Sequence, residues 1–223
     1  VQKRTPINLI IGCLSRYDVI VLQEAQRLSA DDLAMLRNTW GDVGVWEAGD
    51  GNRHGVTIAT HSHIKRLVHY VKCDPKGHYV VIELLSQKRI VLCGLYGSRL
   101  RREQLYIEEE ISGWLNDPDA VVIGDLNWAP APAIDAPGQT NPARWPEMTK
   151  RLDTGRCVDL HRWSYPLDFR PTRWKGPHPS RIDIALLGCN WFDYLHEFSS
   201  DILQECDLSD HRPITICMRT RYY

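Results

Sequence analysis

The sequence predicts an α/β protein in which two packed, mostly antiparallel sheets lie between outer helices. Three observations carry that expectation. Strand-like and helix-like segments alternate along all 223 residues, with no internal repeat and no low-complexity block. Three β-branched runs, HGVTIATHS, GHYVVIELL and RIVLCGLYG, follow one another between Gly-containing and polar stretches, as a strand meander does. Amphipathic segments at helical spacing separate the remaining strands. With 43% hydrophobic residues, a chain of this length fills one core, so residues 1–223 read as a single domain.

Taken in order, PINLIIGCLSRY has apolar residues at helical spacing, and YDVIVLQEA is a buried strand ending in Gln23 and Glu24. SADDLAMLRNTW is a short helix with Ser29 as its N-cap. The three β-branched runs come next. RREQLYIEEEISGWL is an amphipathic helix, and DAVVIGDLN is a strand with acids at its C-terminal end. WAPAPAIDAPGQTNPARWPE reads as a proline-rich loop and MTKRLDTGRCVDLHRW as a helix. SRIDIALLG and SDHRPITICMR close the chain as strands.

Composition excludes little. The formal charge is −1, with 27 basic against 28 acidic side chains. Phosphate binding therefore has to come from local patches or a metal ion rather than from bulk charge. The seven cysteines, at 13, 73, 93, 157, 189, 206 and 217, form no CxxC pair and read as small core residues in a reducing compartment. Cys206 and His211 lack the neighbours that complete a zinc set. No signal-peptide pattern and no apolar run of membrane-spanning length occurs, so the expectation is a soluble, intracellular chain with no membrane partner.

The chemistry lies where strands meet loops. Glu24, Asp125 with Asn127, Asp183, and Asp210 with His211 all sit at such junctions. Unpaired carboxylates are costly to bury, so they belong on a rim, and the rims of neighbouring strands converge. Carboxylates and amide oxygens bind hard cations such as Mg²⁺. A His backed by an Asp acts as a base or stabilises anionic charge. A metal together with such a pair fits phosphate-ester hydrolysis. Singly, each junction reads as a solvated acid, a turn, a surface ion pair or a cap; their joint appearance in this order favours a site.

LQE (22–24), GDLN (124–127), SRID (180–183) and LSDH (208–211) resemble, in order, the signature blocks of the endonuclease/exonuclease/phosphatase superfamily. DPKGHYVVIEL, RIVLCGLYG ending near Tyr96, and RPTRW resemble its secondary blocks. The resemblance spans residues 14–216 and implies a DNase I-like, four-layered α/β/β/α sandwich. It implies Glu24 as principal metal ligand, Asp210 as a second one, and Asp125 as the group that positions or deprotonates the attacking water. Asn127 would hold that water and a phosphate oxygen. His211 would meet the scissile phosphate as base or as stabiliser of charge. Asp183 would orient His211, and Tyr96 would donate to the phosphate. One departure stands out. The family begins with a strand bearing a metal-holding Asn, yet only 23 residues precede Glu24, and Asn8 lies too close to serve. That first strand is expected to be missing.

GDLNWAPAPAID, VDLHRW, RPTRW and SRID resemble the layout of LINE-type retrotransposon endonucleases, and the segment after Tyr96 lacks the insertion of AP repair enzymes. The resemblance therefore implies a Mg²⁺-dependent endonuclease, with Mn²⁺ substituting, that nicks double-stranded DNA for target-primed reverse transcription. A reverse transcriptase in the same polyprotein and a nuclear location go with it. The alternatives are an AP-endonuclease-type repair nuclease and a catalytically weak nucleic-acid-binding module. Arg99, Arg101, Arg102, Arg144, Arg173 and Lys175 are candidates for backbone phosphates. The competing reading is a solvated face, or helix pairing with the acids at 108–110. Trp128 and Trp145 either stack on DNA or pin their loop to the core.

Overall fold

The computed structural model describes residues 16–24, 28–49, 55–138, 145–174, 178–203 and 209–219. Asn8, Cys13, Arg144, Lys175, Cys206 and nearly all of the helix expected over 6–17 lie outside the described residues. The strands are β1 (Val19–Gln23), β2 (Gly44–Glu47), β3 (Val56–Thr60), β4 (Val68–Cys73), β5 (Tyr79–Leu85), β6 (Arg89–Leu95), β7 (Ala120–Asp125), β8 (Cys157–Asp159), β9 (Asp183–Gly188), β10 (Phe198–Ile202) and β11 (Ile214–Met218). The helices are α1 (Ala30–Trp40), α2 (Ser62–Lys65), α3 (Arg101–Leu115), α4 (Pro132–Asp135), α5 (Pro146–Asp153) and α6 (Leu160–Ser164), with a 3-10 segment over Cys189–Glu197.

One sheet has six strands in the order β4-β5-β6-β7-β9-β8 and a second has three in the order β1-β3-β2, while β10 and β11 form a ribbon. Every pairing is antiparallel except β6 with β7, which α3 connects. Among the described residues, β1 pairs only with β3 and β11 only with β10.

Strand alternation builds the layers. In β5, Val80, Ile82 and Leu84 face the inner core with Val56 and Ile58 of β3, while Tyr79 and Val81 face the opposite way, onto Ile107 and Ile111 of α3 and Met148 of α5. On the outer side of the smaller sheet, Leu36 and Trp40 of α1 cover Ile20 and Ala59. The result is helix, sheet, sheet, helix, as expected. Helix α1 starts where Ser29 and Asp32 form a reciprocal capping box. Gly124 sits where both sheets crowd: a Cβ there would overlap the Leu95 carbonyl and lie 2.9 Å from Gln23 Nε2. A glycine at this point lets the end of β1 sit against the end of β7.

Several local expectations change. The expected helix over 148–163 is α5, then β8, then α6, because the chain turns at Gly155 with φ 66°. Strands β2, β4 and β10 add to those expected. The proline-rich stretch holds the one-turn helix α4, and both Trp128 and Trp145 are buried, so they pin the loop rather than reach outward. Of the five described cysteines, all free, only Cys93 is buried; Cys189 and Cys217 are exposed.

Candidate active site

Asp125 ends β7 and Asp183 begins β9, and the two are register partners across the antiparallel pair. Their side chains therefore leave the sheet on one face, close together. His211 joins them from the segment before β11. Its Nδ1 lies 3.0 and 3.2 Å from the two Asp183 oxygens and 3.9 Å from Asp125 Oδ2. A carboxylate only accepts, so Nδ1 carries the proton and Nε2 is the nitrogen left for chemistry. One ligand atom each from Asp125, Asp183 and His211 fall within 4.8 Å of one another.

The electrostatics follow from crowding. Burial pushes the Asp125 carboxyl up to about 7, the Asp183 charge adds to this, and His211 opposes it. Burial alone would depress His211; the hydrogen bond to Asp183 and the charges of Asp183, Asp125 and Asp210 outweigh it and raise His211 above its ordinary value. Tyr96 is held protonated by burial and by donating to Glu24 Oε1 at 2.6 Å.

Backbone geometry marks the same place. Glu24 (φ 52°) and Asn127 (φ 48°) are the two non-glycine residues with positive φ among the described residues. Such conformations are uncommon outside Asn and Asp and persist where the surroundings impose them. The Asn127 N–H donates to Asp125 Oδ1 at 2.8 Å, which closes the GDLN turn.

The structure thus brings Glu24, Tyr96, Asp125, Asn127, Asp183 and His211 to one rim. Arg99 joins them, donating from Nε to Asn127 Oδ1 at 3.0 Å. Asp210, whose charge reaches His211, also lies with its Oδ2 3.9 Å from Arg173 Nε. Arg101 and Arg102 stand exposed in the first turn of α3.

Sequence reasoning passed over two supports. Thr172 Oγ1 accepts from the N–H groups of Ile182 and Asp183, both at 3.1 Å, and so sets the start of β9. Arg181, treated as half of a surface ion pair, is 1% exposed and binds both Asp135 and Asp159, themselves buried. The signals were the Thr of RPTRW and the acids of PAID and VDL, none of which is distinctive alone.

The carboxylate oxygens of Asp125 and Asp183, which cluster with His211, suit a hard divalent cation, and Glu24 stands on the same rim outside that cluster.

A four-layered sandwich with carboxylates, an amide and an Asp-backed His on one sheet rim has the architecture and donor set of a phosphoesterase. The chain belongs to the Endonuclease/Exonuclease/phosphatase family, whose model matches residues 4–211, and is a metal-dependent phosphodiesterase. Its structure is similar to an AP endonuclease from Archaeoglobus fulgidus (TM-score 0.75, 16% identity, 97% of this chain and 95% of that one). It is also similar to the AP endonuclease LMAP from Leishmania major (TM-score 0.71, 15% identity, 96% and 81%). A third similar structure is the endonuclease domain of TRAS1, a telomere-specific non-LTR retrotransposon (TM-score 0.66, 16% identity, 99% and 94%). At such identities the likeness establishes the fold. No curated protein matches the sequence.

Proposed function

We propose that residues 1–223 form the endonuclease domain of a retrotransposon polyprotein, which nicks double-stranded DNA with Mg²⁺ to prime reverse transcription. The observation that carries the nuclease reading is the cluster of Asp125, Asp183 and His211 on one rim. The motif layout and the fold shared with the TRAS1 endonuclease domain support the retrotransposon assignment. A reverse transcriptase in the same polyprotein and a nuclear location belong to this reading. No described helix is long and apolar enough to cross a membrane.

In this reading Glu24 and Asp125 would hold the cation, with Mn²⁺ an acceptable substitute. Bound there, the ion would supply positive charge to the phosphate oxygens. Asp125 orients the attacking water and takes its proton. The water oxygen bonds to phosphorus as the P–O3′ bond breaks, leaving a 5′-phosphate and an O3′ that takes a proton from solvent to become the 3′-hydroxyl. His211, aligned by Asp183, stabilises charge on the phosphoryl group.

AP-endonuclease-type repair is the second reading, favoured by the two AP endonucleases of similar fold. Supercoiled plasmid and a duplex with one abasic-site analogue separate the two. Mg²⁺-dependent nicking of intact plasmid, lost with EDTA and in His211→Ala, supports the proposal. Cleavage confined to the abasic site supports repair, and binding without any cleavage rejects both.

A further inference from the structure

The Asn127 amide is engaged at both ends, and its partners fix its orientation. The Gly97 carbonyl only accepts, so the group 2.8 Å from it is Nδ2; Arg99 Nε only donates, so the atom 3.0 Å from it is Oδ1. Nδ2 also lies 3.4 Å from Asp125 Oδ2. An amide used in this way has its donor on the protein and its acceptor on a guanidinium.

Arg99 is the cation this arrangement delivers. The turn that carries it is seated on the GDLN turn: Gly97 N–H donates to the Asp125 carbonyl at 2.7 Å, and a Cβ at Gly97 would overlap the Leu126 carbonyl. Beyond Arg99 the chain is locked to α3. The Ser98 hydroxyl donates to Glu103 and accepts from Leu100 N–H at 3.0 Å, and Gln104 Nε2 donates to the Ser98 carbonyl at 2.9 Å. Arg99 itself is exposed. Its remaining guanidinium N–H groups have no hydrogen-bond partner among the described residues. Arg173 and His211, the other cationic groups here, face Asp210 and Asp183.

We propose that Arg99 is a catalytic residue that binds a non-bridging oxygen of the scissile phosphate, and that Asn127 is the positioning residue that aims it. This rests on the nuclease reading above and assigns to Arg99 the phosphate contact that the family resemblance gives to Asn127. A guanidinium suits the task because its planar fork matches phosphate oxygens and it stays charged at every working pH. Held in place before substrate arrives, it meets the charge that develops as the bond breaks.

The test is plasmid nicking with Mg²⁺ by wild type, Arg99→Ala, Asn127→Ala and the double variant, with melting curves to confirm folding. Arg99→Ala is expected to lose kcat on the order of 100-fold with KM changed by less than about 3-fold. Added ethylguanidinium is expected to restore part of that loss in Arg99→Ala and none in His211→Ala. The double variant is expected to be no worse than Arg99→Ala, because the amide has nothing left to aim. Full kcat in Arg99→Ala, a loss confined to KM, or additive losses in the double variant would each overturn the assignment while the nuclease reading stands. A wild-type protein that cuts no DNA would instead remove the reading on which it rests.

Discussion

Asp125 and Asp183 stand opposite one another in the register of β7 and β9, one carboxylate ending a strand and the other beginning its neighbour. Like charges directly opposite across a strand pair destabilise a sheet. Here both are nearly buried, and no arginine or lysine forms an ion pair with either among the described residues. The fold tolerates this repulsion for the sake of a site.

Asp125→Asn is therefore expected to abolish activity and to raise the melting temperature. The Asp125 carboxyl titrates near 3.8 in an unfolded chain and at about 7 in the fold. Its contribution to stability is full below the lower value and is lost as pH rises through the higher one. The gain in the variant should accordingly be small at pH 4 and largest above pH 7. Each ~1 kcal/mol moves Tm by roughly 2–4 °C in a chain of this length. Metal-free melting curves across that range check it, and a lower Tm for the variant at pH 8 would contradict the argument.

Mg²⁺ should reverse the same penalty. A cation that binds only the folded site stabilises it in proportion to ligand excess, so wild-type Tm is expected to climb with Mg²⁺ and to fall back with EDTA. The climb should be smaller in Glu24→Ala and Asp125→Asn. Equal shifts in all three proteins would place the ion elsewhere.

The Asp183–His211 pair makes a pH prediction of the same sign. The raised His211 contributes stability that is complete below about 6.5, its ordinary value, and is lost as pH rises through the higher folded value. Asp183→Asn removes the charge but leaves the burial. His211 should then titrate lower than in the wild-type protein, visible as a downfield-to-upfield shift of its ring protons at lower pH in metal-free NMR. An unchanged midpoint would show that Asp183 does not govern the ring.

How much of this was legible in the sequence depends on distance along the chain. Glu24, Asp125 and His211 were legible because each sits at the edge of an apolar run, and the pattern of strand ends survives without knowing how the strands pair. The order of layers was legible for the same reason, through alternation in segments such as YVVIELL. What escaped depended on tertiary partners. Arg181 looked like a surface ion pair because Asp135 and Asp159 are far away in sequence and only the fold encloses the three. Trp128 and Trp145 sit among prolines, and only the packing against α3 and α5 shows that they face inward. The Arg99–Asn127 contact likewise needs β6 and β7 side by side. A mixed pattern over 148–163 hid β8, whose three residues are too few to show a period.

The buried Arg181 network should be a stability element rather than a catalytic one. Arg181 satisfies Asp135, 0% exposed, and Asp159, 5% exposed. Arg181→Ala leaves two buried acids short of their partner, and breaking such a pair costs about 3–5 kcal/mol. Urea unfolding should show that loss. It should ease at low pH, where the Asp135 carboxyl protonates. Arg162, which also pairs with Asp135 and donates to the carbonyls of Tyr165, Pro166 and Asp168, would hold the following loop less firmly.

Thr172 offers the cleanest separation of positioning from packing. Its hydroxyl oxygen accepts the N–H groups of Ile182 and Asp183, while its own N–H pairs with the Ser180 carbonyl and its carbonyl takes the Arg212 N–H. The residue is fully buried. Thr172→Val keeps the shape and leaves two buried N–H groups without an acceptor, at about 1–3 kcal/mol each when unsatisfied. Because one of those groups belongs to Asp183 and the other end of the link to the residue after His211, kcat should fall further than the stability loss explains at temperatures where the variant is fully folded. Thr172→Ser keeps the acceptor oxygen and should recover most of that kcat despite losing a methyl group. Equal activity in the Val and Ser variants would show that the start of β9 is held by the sheet alone.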